Sequence, residues 1–230
     1  MPDTFLTTRW SLVVAAQGDD DHAEAALETL CVQMWRPLYA FARRWGRGPE
    51  DAEDSVQSFL GSLLKRQSLK HVDSSRGKFR TFLLGAMRNH LSDEDSRSHA
   101  VKRGGRVEMV SLDLQSAERD YSIVASELPT PEKAFERAWA MEIVSRAQIK
   151  LREECVASGK AVVFDALFSA KEESGQETAD KLGMSVNAFR TVATRLRQRW
   201  RALIQQELTQ TVSCQTDLEA EMEALKRALL

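Results

Sequence analysis

The sequence predicts an all-α chain: two helical domains joined by a flexible linker, the second with a C-terminal helix-turn-helix. Three observations lead there. Apolar residues recur at helical spacing over most of the chain, and alternating β-branched runs are almost absent. The periodicity fades from residue 99 to 130, where Gly104, Gly105 and Pro129 sit among polar residues just before Pro131. Residues 174–205 then read as a short helix, a glycine turn and a second helix studded with arginine. The expected layout is a first domain at 1–98, a linker at 99–130, a second domain at 131–206, and a tail at 207–230 with a short amphipathic helix.

Each element has its own signal. Thr7 or Thr8 can cap a short first helix carrying Trp10, Val13 and Val14. A second begins near Asp21, with Ala26, Leu30, Met34, Leu38 and Phe41 on one stripe, and Pro37 is expected to kink or split it. Gly46 and Gly48 end it. Pro49, followed by Glu50, Asp51, Glu53 and Asp54, suits a first turn, where a missing N–H costs nothing and carboxylates meet the positive end of the helix dipole. That third helix carries Ala52, Val56, Phe59, Leu60 and Leu63. After a polar turn at 73–77, a fourth runs from about Phe79 to Asp95 with Phe82, Leu83, Ala86 and Leu91 expected inward. In the second domain one helix runs from Pro131 to about Ala157, another from Lys160 to about Glu172, and the helix-turn-helix follows.

Bulk numbers narrow the function. The 230 residues carry 32 basic and 34 acidic side chains, so any nucleic-acid surface has to be local. It is local: five arginines and no acid fall within the 22 residues from 185 to 206. Cys31, Cys155 and Cys214 are far apart, and with four histidines they form no metal-ligand spacing, so reduced thiols, no metal and no cofactor are expected. No signal peptide and no apolar run near 18 residues is seen, which points to the cytoplasm and away from membranes. No nucleotide-binding glycine loop, serine elbow or zinc-binding histidine pair is present, and the carboxylate pairs Glu24/Glu28 and Glu219/Glu223 suit solvated helix faces, so no enzyme is expected.

The helix-turn-helix signal has a physical basis. Ala179 is small where two helices cross, Gly183 accepts the backbone a sharp turn needs, and Ser185 can cap the next helix. Val186, Phe189, Val192, Leu196 and Leu203 form one stripe, with Arg190, Arg195, Arg197, Arg199 and Arg201 on the other faces. An amphipathic helix with a solvated basic side would show the same pattern.

Three segments in order resemble bacterial RNA polymerase sigma factors of the extracytoplasmic-function (ECF) type. EDAEDSVQSFLGSL at 50–63 resembles the segment that holds the polymerase clamp helices. GKFRTFLLGAMRNHL at 77–91 resembles the −10 promoter segment, and SGQETADKLGMSVNAFRTVATRLRQRW at 174–200 the −35 helix-turn-helix. The N-terminal TRWSLVVAAQGDDDHAEAALETL resembles a planctomycete-like branch. The resemblance implies a transcription initiation factor that binds core RNA polymerase and recognises −10 and −35 elements of promoter DNA, with an anti-sigma factor or other regulator as a further partner. For polymerase it implies Asp51, Asp54, Val56, Gln57, Phe59 and Leu60, an acidic rim around apolar knobs. For the −10 element it implies Lys78, Phe79, Arg80, Arg88 and Asn89, with Phe79 and Phe82 open either to base stacking or to the core. For the −35 element it implies Gln176, Ser185, Asn187, Arg190, Thr191, Thr194, Arg195 and Arg197, with Arg190 suited to a guanine and Arg195 and Arg197 to phosphates.

Three features depart from the family pattern. The acids Asp93, Glu94 and Asp95 follow Asn89 and His90 where a basic run is usual, and they repel phosphate unless they face away. Thr178 is polar where an apolar residue is usual, and Phe189 is bulkier than the usual valine. The tail acids Asp217, Glu219, Glu221 and Glu223 lie close in sequence to the arginine helix, which suggests control of −35 binding or a docking place for a regulator. The alternative reading is a helix-turn-helix regulator that binds DNA without polymerase; it needs a dimer, for which the stripe Leu218, Met222, Leu225 and Leu229 is the available surface.

Overall fold

The computed structural model describes residues 11–16, 18, 21–65, 79–98, 114–124, 128–168, 175–210, 212 and 214–230. Among these there are ten helices and no strand: α1 (Ser11–Ala15), α2 (Asp21–Trp45), α3 (Pro49–Lys65), α4 (Phe79–Ser98), α5 (Leu114–Val124), α6 (Pro131–Ala157), α7 (Ala161–Phe168), α8 (Gly175–Lys181), α9 (Val186–Thr209) and α10 (Gln215–Leu229). The all-α expectation holds. No described helix is long and apolar enough to cross a membrane.

The chain packs as two compact units, one of Met1–Glu142 with Leu208–Leu230, the other of Ile143–Glu207. The expected boundary at 99–130 is therefore displaced. That stretch contains α5, the first part of α6 belongs with the first unit, and so does the tail.

In the first unit α2 is the central element. Leu30, Met34, Leu38 and Phe41 are buried as the stripe requires, but so are Trp35, Tyr39, Ala40 and Ala42, because neighbours pack on more than one side. The helix is not split at Pro37, which is itself buried within it. Ala40 meets Ala134 of α6, and Tyr121, Leu128 and Ala138 close around that contact. Against α2 lie α3, with Ala52, Val56, Phe59 and Leu60 inward, and α4. The inward face of α4 is Phe79, Leu83, Met87 and Leu91 at four-residue steps. Phe82 and Ala86, expected inward, are only half-buried, so the face is turned from the expected one.

Charged side chains fix the helices to one another. Glu118 of α5 accepts from Arg43 of α2 at 2.8 Å twice over and from the Tyr39 hydroxyl at 2.5 Å. Asp120 accepts from Arg36 at 2.7 Å. The Arg43 hydrogen bonds hold the Glu118 carboxyl below its ordinary value, and burial, then the hydrogen bond to Glu118, raises the Tyr39 hydroxyl. Further along, Asp95 of α4 takes Arg47 at 2.5 Å and the Trp45 indole at 3.1 Å. Glu94 accepts from Ser55 of α3 at 2.7 Å and lies 3.2 Å from His90 and 3.7 Å from Arg47. Cys31 lies in the core of α2, and burial, then Glu28, pushes its thiol up to about 11.

In the second unit the core is small. Ala179 of α8 meets Phe189 and Ala193 of α9, with Val163, Leu167, Leu182, Met184 and Val186 around them. Phe164 stacks on Phe168, which meets Trp200 edge-on at 5.3 Å. Glu207 of α9 is buried and held by Arg146 at 2.8 Å and Lys150 at 2.5 Å, both from α6.

Burial raises the Glu94 and Glu207 carboxyls, and their hydrogen bonds and cationic neighbours more than offset this, leaving both below the ordinary 4.5. A folded-state value below the unfolded one contributes stability that is whole above pH 4.5 and is lost as pH falls through the lowered value. Denaturant midpoints taken from about pH 7 to pH 3 should therefore fall below 4.5, and Glu94→Gln should flatten that fall. Glu207→Ala removes the buried carboxylate shared by Arg146 and Lys150 and should destabilise the second unit by about 3–5 kcal/mol, read by hydrogen exchange of the α9 amides.

Candidate nucleic-acid interface

Backbone chemistry positions the helix-turn-helix. Gly183 takes φ 63°, the left-handed conformation that other residues resist. The Met184 N–H donates to Ala179 O at 3.0 Å and the Gly183 N–H to Asp180 O at 3.1 Å, the paired closure of a Schellman turn. Ser185 Oγ then accepts from the Ala188 N–H at 3.2 Å, capping α9, while Ser185 O receives the first helical bond from Phe189. The large Phe189 ring fits because its neighbours Ala179 and Ala193 are small. Thr178 is buried beside them, so both departures from the expected residue types are absorbed by packing.

The outer face of α9 is ordered by type. Ser185, Asn187, Arg190, Thr191, Thr194, Arg195 and Arg197 are all exposed. At 3.6 residues per turn, Asn187, Thr191, Thr194 and Gln198 share the middle of the arc. Arg190 and Arg197 flank it on one side and Arg195 on the other. Arg190, Arg195 and Arg197 have no ion-pair partner among the described residues. Arg199 is different: it forks onto Glu154 at 2.8 and 2.6 Å, so the five arginines of the sequence are not equivalent. Thr191 donates back to Asn187 O at 2.8 Å. Gln176 is exposed on α8 and donates to Asp180 at 2.9 Å.

In the first unit the expected residues separate into exposed and buried sets. Asp51 and Asp54 are exposed on the first turns of α3, and Gln57 is half-buried, donating to Glu53 at 3.1 Å. Val56, Phe59 and Leu60 are at most 3% exposed, so the apolar knobs expected to meet a partner are core residues instead. The reason is register: the face of α3 that carries them is the one turned towards the other helices.

On α4 a similar correction applies. Phe79 is 1% exposed and offers no ring to a base, whereas Phe82 is half-buried beside it, with ring centroids 6.2 Å apart. Arg80 is held by Glu221 at 3.1 and 3.2 Å, and its guanidinium lies 4.4 Å from the Trp139 ring. Arg88 is exposed and pairs with Glu132, and Asn89 is exposed. Lys78 and the turn at 73–77 lie outside the described residues. Of the three acids expected to repel phosphate, Glu94 and Asp95 are engaged by Ser55, Arg47 and Trp45 and brace α4 against its neighbours, while Asp93 is exposed.

Sequence reasoning missed that bracing, because its partners lie some 40 to 50 residues away. Of the tail acids, which lie close in sequence to the arginine helix, Glu221 meets Arg80, and Leu218 and Leu225 of the tail stripe are buried, packing on their own chain. No group of histidine, cysteine and carboxylate residues able to hold a metal occurs among the described residues.

No curated protein and no solved structure matches the chain. Residues 31–99, which hold the latter half of α2 with α3 and α4, match the family model for sigma-70 region 2. Region 2 binds core RNA polymerase and promoter DNA, and its family comprises non-enzymatic transcription initiation factors. The chain thus carries a sigma-70 region 2 domain at residues 31–99, which supports a sigma-70 family factor with a role in promoter recognition.

Proposed function

We propose that the protein is an ECF-type sigma factor of the planctomycete-like branch, acting in the cytoplasm. Its first unit joins core RNA polymerase and meets the −10 element, and α8 and α9 of its second unit read the −35 element. The observation that carries the second half is the outward arc of α9, a polar strip between arginines that no carboxylate among the described residues neutralises. A strip of Asn187, Thr191 and Thr194 suits base edges, and flanking guanidiniums suit the two phosphate backbones of a groove. Arg190 stands nearest to a base contact, Arg195 and Arg197 to phosphate, and Gln176 with Ser185 to the backbone at the start of the motif.

For polymerase the available surface is the acidic start of α3, Asp51 and Asp54 with Gln57 beside them. For the −10 element it is Phe82, Arg88 and Asn89 on α4, with Lys78 before it. Arg80 belongs to this set once its carboxylate partner is removed. An anti-sigma factor or other regulator completes the expected partners.

Run-off transcription with purified core polymerase should give promoter-dependent products on genomic fragments; no product on any fragment would end this reading. Asp51→Arg with Asp54→Arg should lower capture of core polymerase at least tenfold in a pull-down while leaving the helical circular dichroism unchanged. Phe59→Ala is unsuitable for that purpose, since truncating a core phenylalanine costs about 3–5 kcal/mol of stability on its own. Arg190→Ala should weaken the preferred −35 sequence by about 1–3 kcal/mol and relax its choice at one position. Arg197→Ala should instead weaken all sequences alike and reduce the salt dependence by about one phosphate contact. Footprinting of holoenzyme on matched and altered promoters separates the two outcomes.

A further inference from the structure

The geometry points to an intramolecular clasp: α10 keeps Arg80 from nucleic acid by occupying it with Glu221, and releases it when the first unit takes up DNA. This rests on reading α4 as a DNA-facing helix. Arg80 is the second residue of α4, and its side chain is 12% exposed. Its Nε and Nη2 donate to the two carboxylate oxygens of Glu221 at 3.2 and 3.1 Å, and Nη1 lies 3.6 Å from Glu136. Glu221 has a side chain only 3% exposed, so the pair is removed from water.

Three features make this a clasp more than a brace. A forked guanidinium–carboxylate pair uses the same donors that a phosphate would take, so the two anions compete for one site. Arg80 stays oriented without Glu221, because Trp139 lies under its guanidinium and Glu136 is close by. The blocking element, α10, is held to the unit by side-chain contacts, among them the buried Leu218 and Leu225 and Arg137, which donates to Ala228 O at 2.9 Å, and such contacts can open while the helix itself stays formed. Two other acids of α10 are engaged within the helix: Glu219 accepts from Gln215 and Glu223 pairs with Lys226. A buried ion pair contributes little net stability but fixes a partner, which suits a contact that has to be specific and yet reversible.

The test uses the full-length chain bound to core polymerase, titrated with fluorescein-labelled single-stranded DNA of mixed sequence, about 20 nucleotides long. Glu221→Gln should tighten binding roughly tenfold, the gain expected when a closed state populated about nine parts in ten is removed. Glu219→Gln on the same helix should change nothing, and adding Arg80→Gln should cancel the gain. Hydrogen exchange of the α10 amides should quicken in Glu221→Gln, and in the wild-type chain when DNA is added. Unchanged or weaker DNA binding in Glu221→Gln, with α10 exchange quickened, would make α10 a structural brace and overturn the clasp alone. Absence of DNA binding in every variant would remove the reading of α4 beneath it, and the clasp with it.

Discussion

A guanidinium withdrawn from water needs a partner, and in the first unit the carboxylates that meet such arginines place the helices. Glu118 ties α5 to Arg43 of α2, Asp95 ties α4 to Arg47 just beyond the end of α2, and Glu221 ties α10 to Arg80. Apolar contacts such as Ala40 with Ala134 then fill the spaces between. The second unit follows the same rule once at its base, where Glu207 joins α9 to Arg146 of α6. The consequence for the surface is an allocation: arginines satisfied from within give rigidity, and those left outside are available to a partner.

That allocation separates the two candidate surfaces. On α9, Arg190, Arg195 and Arg197 have no carboxylate partner among the described residues, whereas Arg199 is spent on Glu154. On α4, Arg80 is engaged by Glu221 and Arg88 by Glu132. Among the described residues, the arginines of the two candidate surfaces thus differ in whether a carboxylate of their own unit meets them.

What the sequence could disclose depended on the range of the interaction. The turn before α9 was legible because its causes are local: Gly183, Ser185 and the small Ala179 lie within seven residues of one another. The start of α3 was legible for the same reason, from Pro49 and the acids that follow. The fourth helix was found with Leu83 and Leu91 rightly inward, but its face was turned, since Phe79, Leu83, Met87 and Leu91 and the expected set of Phe82, Leu83, Ala86 and Leu91 both fit a helical period, and only packing chooses between them. The same ambiguity placed Val56, Phe59 and Leu60 on an outer surface when they belong to the core. Helix α5 was lost in the linker because it is short and its strongest attachments are Glu118 and Asp120, which read as solvent-facing charges. Glu221 was beyond reach, as its partner lies 141 residues away.

The turn that sets α9 relies on Gly183, on main-chain hydrogen bonds and on the Ser185 cap. None of these uses a side chain from Asn187 outward along the exposed arc. Substitutions there fall in the class that shifts stability by no more than about half a kcal/mol. Mutational drift can therefore rewrite the side chains that this arc presents while its angle of presentation stays fixed, so that whatever the arc recognises can change without passing through a misfolded ancestor.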